Sequence, residues 1–173
     1  MEENDFLDWG FDKKENRELV SVNIFIILFF LTMGLYGTWW MYKAWRYFKE
    51  KEKLDIMPAM RAVFAIFFLY ELFIKIQEQA HSRGYKESYS AGPLFIGYIV
   101  ISFLAQLPEP LWVLSQLALL CLIAPFKAFN YILMNAEGIG FRESEGFNQR
   151  QIILLFFGAA LWSVTIINFF VAN

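Results

Sequence analysis

Residues 34–53 read GLYGTWWMYKAWRYFKEKEK, and across them an apolar run turns aromatic and then mostly charged. Upstream, 19–42 holds no charged residue and is long enough to cross a hydrocarbon core of about 30 Å as a helix, which takes roughly 20 apolar residues. Trp39, Trp40, Tyr42, Trp45 and Tyr47 are amphipathic rings that favour the headgroup level, and Lys43 and Arg46 between them have apolar stems that carry a charge outward. The stretch therefore reads as the exit of a first span, 19–42, whose helix continues past the bilayer surface. Gly34 and Gly37 lie three apart and would let a neighbouring helix approach closely.

The whole chain agrees with a membrane reading. Of its 173 residues 58% are hydrophobic and 20% aromatic, with a mean hydropathy of +0.41, which is too apolar for an ordinary soluble domain. The lone Cys121 cannot form an intrachain disulfide, and the single His81 excludes a multi-histidine metal site. Residues 1–18, MEENDFLDWGFDKKENRE, are acidic where a signal peptide would be basic, so they read as an acidic tail before a retained anchor. Residues 19–173 then form one helical membrane domain.

Four further segments follow. Pro58 suits a first helical turn, where its missing N–H costs nothing. From there Arg61, Phe64, Phe68, Glu71, Lys75 and Glu78 form one ladder at helical spacing, so 58–78 reads as an amphipathic helix with an ion pair expected from Glu71 to Lys75. The run 93–107 ends at Leu107-Pro108-Glu109-Pro110, a reversal at a polar surface that makes a hairpin with 111–133. Pro125 predicts a kink or the end of the embedded part of that segment. After the polar loop NAEGIGFRESEGFNQR comes the last span, 152–172.

The basic residues choose between two arrangements. If all five segments cross, Lys43, Arg46, Lys49, Lys51 and Lys53 lie opposite Lys75, Arg83, Lys86, Lys127, Arg142 and Arg150. If 58–78 lies in the interface or re-enters, all of these share one side with Arg61, facing away from the acidic tail. The positive-inside rule favours the second. The expected fold is thus all-α: a polytopic integral membrane bundle of four transmembrane helices plus one in-plane or re-entrant amphipathic helix, with the N-terminus outside the cytoplasm.

The string Trp40-Met41-Tyr42-Lys43-Ala44-Trp45, then Pro58, Arg61-Ala62, Phe67-Phe68-x-Tyr70-x-Leu72-Phe73, Leu107-Pro108-Glu109-Pro110-Leu111-Trp112 and Asn130-Tyr131-Ile132 resembles a family of small uncharacterised bacterial integral membrane proteins. The likeness spans roughly residues 30 to 135 and rests on several spaced motifs in the same order. The chain departs from it at Ala59-Met60, where an aromatic pair is usual, and at Glu109, where an aspartate is. The resemblance implies a bacterial inner-membrane protein and supplies no catalytic residue.

Two sets of residues can carry a function. Trp39, Trp40, Lys43, Trp45, Arg46 and Arg61 form a basic aromatic collar suited to anionic lipid headgroups, to a membrane partner protein or to a second copy; a pocket requires Lys43, Arg46 and Arg61 to converge. The plain alternative is an aromatic belt with basic anchors. Arg61, Glu71, Lys75 and Glu109 are charges in or beside apolar segments and would line a polar path if 58–78 spans, the mark of a small transporter or channel component. If it lies flat they face water. No catalytic constellation, metal site, cofactor motif or nucleic-acid-binding motif is expected. The leading reading is a non-enzymatic membrane protein working through its collar.

Overall fold

The computed structural model describes residues 18–135, 142–143, 146–147 and 149–172, so the acidic tail over 1–17 and most of the polar 135–150 loop lie outside the described residues. Seven helices follow in order: α1 Val22–Leu31, α2 Leu35–Glu52, α3 Pro58–Val63, α4 Ala65–Ser82, α5 Ala91–Phe103, α6 Leu119–Met134 and α7 Gln149–Ala172. Two 3-10 segments, Leu104–Gln106 and Leu111–Ala118, flank the bend between α5 and α6. A short strand β1, Glu18–Leu19, pairs in parallel with β2, Arg142–Glu143. The all-α expectation holds for the described residues apart from this pair.

No single helix covers 19–42. The Ser21 hydroxyl accepts from Ile24 N–H and starts α1, in the usual manner of an N-cap. Eleven residues later the Thr32 hydroxyl donates to Leu28 O at 2.7 Å and accepts from Tyr36 N–H at 3.0 Å, so it closes α1 and opens α2 together. Between them Met33 and Gly34 take positive φ, 52° and 89°. The chain folds back there: the Phe25 and Trp40 rings lie 5.9 Å apart, whereas an unbroken helix would separate those residues by about 22 Å. Gly37 makes the hairpin possible, because a Cβ there would fall 2.6 Å from the Phe29 ring. The expected first span is therefore a pair of packed helices, and α1, at 10 residues and about 15 Å, does not cross a bilayer.

The 58–78 segment is divided as well. Pro58 opens α3 as expected, and the chain bends at Phe64 before α4. Leu69, Leu72, Phe73, Ile76 and Ala80 form the buried stripe of α4. It runs antiparallel along α5, with the Tyr70 and Phe95 rings 5.9 Å apart and Tyr89 Oη donating to Phe73 O at 2.7 Å. The expected single amphipathic helix over 58–78 is thus two helices with a bend at Phe64. Burial explains the difference: α4 has a full apolar face to cover, and α6 and α2 supply the cover.

The reversal at 107–110 forms as expected, with a cis Glu109–Pro110 peptide. Helix α6 runs through Pro125 without ending. It sits at the centre, with Leu122, Phe126, Phe129 and Ile132 buried; Phe126 stacks on Phe25 at 4.1 Å and Phe129 meets Trp40 edge-on. Helix α7 attaches along one edge. Gly158 lies over Leu31, where a Cβ would come within 2.7 Å of the Leu31 carbonyl oxygen. Trp162 donates to Phe30 O and stacks on Phe30 and Trp112. The rest of α7 is mostly exposed apolar surface. Two continuous stretches, Leu111–Met134 and Gln151–Asn168, are long and apolar enough to cross a membrane.

Cross-links between distant segments define one polar end. Asn130 Nδ2 donates to Val20 O, Arg83 donates to Ile132 O and Tyr47 Oη, Tyr131 donates to Arg83 O, and Lys75 binds Glu52. The start of α1 thus stands with the ends of α2, α4 and α6. Because α1 and α2 reverse, residues 18–20 pack beside the ends of α2, α4 and α6, where the basic residues gather, while residues 1–17 lie outside the described residues. At the other end are the bends at 32–34, near Phe64 and at 107–110, where Glu109 is the sole charge among the described residues.

Candidate functional site: a charged collar above an apolar belt

The polar end carries every basic side chain that the structure describes. Lys43, Arg46, Lys49, Lys51 and Lys53 belong to α2 and its C-terminus, Lys75 to α4, Arg83 and Lys86 to the following turn, and Lys127 to α6, with Arg61 just below on α3. Lys49 and Lys51 stand in the last turn of α2, where cations favour the helix dipole.

The convergence of Lys43, Arg46 and Arg61 that a pocket requires is not seen. On α2, Lys43 and Arg46 share a face with Trp39 and Glu50; Lys43 lies over the Trp39 ring at 5.8 Å and Arg46 Nε binds Glu50 at 2.8 Å. Trp45 points elsewhere, and Arg61 lies on it. The Arg61 guanidinium is 4.4 Å from the Trp45 ring centroid and 4.8 Å from that of Phe68, with Nη1 bound to Glu71 at 2.7 Å. Such stacking suits a planar, weakly hydrated guanidinium. Arg61 is a clasp holding α3 and α4 to α2, while Lys43 and Arg46 face outward.

The aromatic candidates divide in the same way. Trp40 and Trp45 are core residues, 5% and 0% exposed, whereas Trp39 is 50% exposed. The reason is the fold-back at 32–34, which turns one α2 stripe, Trp40, Met41, Ala44, Trp45 and Phe48, onto its neighbours. Only Trp39 of the three is available to a lipid.

The polar-path candidates separate. Glu71 pairs with Arg61, and Lys75 Nζ reaches Glu52 at 2.6 Å across to α2, in place of the expected Glu71–Lys75 pair. Glu109 is exposed at the far bend. These four charges line no common channel. Below the α1–α2 bend lies a cavity of about 220 Å³ bordered by Phe29, Gly34, Thr38, Tyr98, Ser102 and Gln116 among others; its polar groups are uncharged, and Gln116 Oε1 is buried without a hydrogen-bond partner.

Two residues of the collar escaped notice in the sequence. Glu50 and Glu52 sit inside a lysine-rich turn, and their i,i+4 and cross-helix partners were masked by the net positive character of the stretch. The Glu50 signal was present, since Arg46 precedes it by four. Beside the collar, burial pushes the Tyr85 phenol up to about 12, with the Glu87 hydrogen bond and charge adding to it, and burial also raises Tyr89. Both remain neutral donors at physiological pH.

No protein-family model matches this chain, and no curated protein or solved structure is detectably similar to it.

Proposed function

We propose that this chain is a non-enzymatic integral membrane protein whose outward-facing collar, centred on Trp39, Lys43 and Arg46, binds anionic lipid headgroups at the cytoplasmic surface of a bacterial inner membrane. In this reading α5 with its 3-10 extension, Leu111–Met134 and α7 cross the bilayer. The α1–α2 and α3–α4 hairpins enter from the charged side and return, so three crossings and two half-depth hairpins replace four crossings and one flat helix. The segregation of charge carries the proposal: the described cations gather at one end, and the bends at 32–34 and Phe64 are apolar. The order of the sequence motifs supports the bacterial location.

Each Lys or Arg at an anionic surface adds about 1 kcal/mol of attraction, so neutralising two of them weakens the preference for anionic lipid by up to roughly thirtyfold. The test is the relative annular affinity for phosphatidylglycerol over phosphatidylcholine, read from quenching of tryptophan fluorescence by brominated lipids. The wild type is expected to favour phosphatidylglycerol, and Lys43→Gln with Arg46→Gln to lose most of that preference. Equal affinities in the wild type, or a double variant that behaves like it, would sink the proposal. An acidic partner protein or a second copy on the same collar is the reading that such a result would leave.

A further inference from the structure

Gln116 is 9% exposed, and its Oε1 is buried with no hydrogen-bond partner. A buried oxygen left unpaired is costly, and this residue stands in the wall of the cavity of about 220 Å³ beside the 32–34 bend. The local winding brings it there. Leu111–Ala118 is a 3-10 segment of 8 residues, longer than such runs usually are, and in it side chains three apart eclipse. Ser115 and Ala118 therefore stand one above the other with Gln116 between them in the chain, and all three border the cavity. Helix α5 contributes Tyr98 and Ser102, one helical turn apart, and α2 contributes Thr38.

The wall is mixed in chemistry. Thr38, Tyr98, Ser102, Ser115 and Gln116 offer polar groups, Phe29, Met33, Leu35, Ala105 and Ala118 offer apolar surface, and no charged residue among those described borders the space. Water occupies about 30 Å³ per molecule and needs two to four polar partners, so water alone would stand several molecules against the apolar part. An ion would find no counter-charge in the wall. Gln116 Oε1 needs a donor, and a hydroxyl suits it, because a hydroxyl donates to the amide oxygen and accepts from a neighbouring hydroxyl in turn. A cavity of about 150 Å³ holds benzene, so this one has room for roughly nine non-hydrogen atoms. Leu35 and Ala105 border the cavity and are exposed, so it is open at that rim.

We infer that this cavity is a binding site for an uncharged, hydroxyl-bearing molecule, whose hydroxyl donates to Gln116 Oε1 and whose apolar body lies against Phe29 and Leu35. The site shares no residue with the collar and does not depend on headgroup binding there. Two sources carry this chemistry: a small free alcohol that fits whole, and the glycerol end of a diacylglycerol whose chains leave past the open rim.

The test uses the full chain, with isotope-labelled methionine methyl groups, in micelles of an amine-oxide detergent that has no hydroxyl of its own. Met33 borders the cavity, Met41 is sealed in the core and Met60 is exposed, so their NMR shifts separate occupation of the cavity from general partitioning. Phenethyl alcohol is compared, at equal mole fraction in the micelle, with propylbenzene, which lacks the hydroxyl, and with benzyl methyl ether, which accepts but does not donate. The alcohol is expected to shift Met33 saturably while Met41 and Met60 stay in place. The two analogues are expected to bind about tenfold more weakly, the net worth of one hydrogen bond. Gln116→Leu removes the acceptor and is expected to bind all three alike, and Ala105→Trp, at the exposed rim, to bind none. A wild type whose Met33 does not shift overturns the proposal and leaves a cavity for water. Equal binding of propylbenzene overturns it too, as does a Met33 shift that runs in parallel with that of Met60. A Met33 shift with dihexanoylglycerol assigns the site to a lipid; a shift with phenethyl alcohol alone assigns it to a small alcohol.

Discussion

Arg61 is the most informative single residue, because its surroundings convert a costly charge in an apolar segment into a structural tie. Its side chain is only 20% exposed, and two ring faces and a carboxylate take the place of water. The ladder in the sequence had Arg61, Phe68 and Glu71 on one stripe, so their meeting was legible. Trp45 was not, since nothing local links an α2 ring to a residue sixteen positions on. Arginine fits here through its planar stacking, and lysine keeps the charge but loses the stack. Arg61→Lys is expected to cost about 1–2 kcal/mol from cation–π loss. The ion pair contributes at most about 1 kcal/mol of its own, Glu71 being 45% exposed. Thermal unfolding in detergent reads this as a lower Tm with unchanged lipid preference; an unaltered Tm would show that the clasp does not stabilise the bundle, and a lost preference would move Arg61 into the headgroup site.

Among the elements, the outer boundaries were legible where proline or charge marked them. Pro58 at the start of α3, the 107–110 reversal and the onset of α7 each have local chemistry that fixes the chain. The breaks at 32–34 and Phe64 carry no such mark. Apolar length alone treats two helices packed back to back as one span, and a glycine in an apolar run is as compatible with close packing as with a turn. The Gly34 and Gly37 pair was read correctly as a place of close approach, but the partner is α1, the other half of the same expected span. Gly158 plays the matching part for α7, where the obstacle is backbone and cannot rotate away. Gly158→Leu is expected to lift α7 from α1, at an overpacking cost of about 1–3 kcal/mol. Spin labels at Ile27 and Ile152 would report it as a longer and broader distance distribution, with the exposed Ala159→Leu as the silent neighbour. If both variants leave the distribution alone, α7 is not held at Gly158.

For the molecule as a whole, the fold-back at 32–34 has the largest consequence, because it packs the start of α1 beside the ends of α2 and α6. Counting basic residues gave the right grouping, one collar on one surface, yet the sequence-level count assumed that 19–42 crosses. In the proposed insertion, where it does not, the same rule is satisfied with residues 18–20 beside the collar, and the number of crossings is odd. The C-terminal end of α7 then lies opposite the collar together with Glu109. Single cysteines at Lys51, Lys86, Glu109 and Val171, each in a Cys121→Ala background, test whether the collar and the far end of the bundle lie on opposite faces of the membrane. All four positions are exposed, so reactivity with an impermeant maleimide reports side and not burial. Lys51 and Lys86 are expected to label only from the cytoplasmic face, and Glu109 and Val171 only from the opposite face. Four crossings with a flat helix give the same labelling at these four positions, so the deciding position is Val20. It reacts from the cytoplasmic face if α1 and α2 form a half-depth hairpin, and from the opposite face if 19–42 spans. Val20 is partly buried under the Asn130 contact, and Asn130→Ala, which frees its carbonyl, gives the reagent access without altering which face the residue is on.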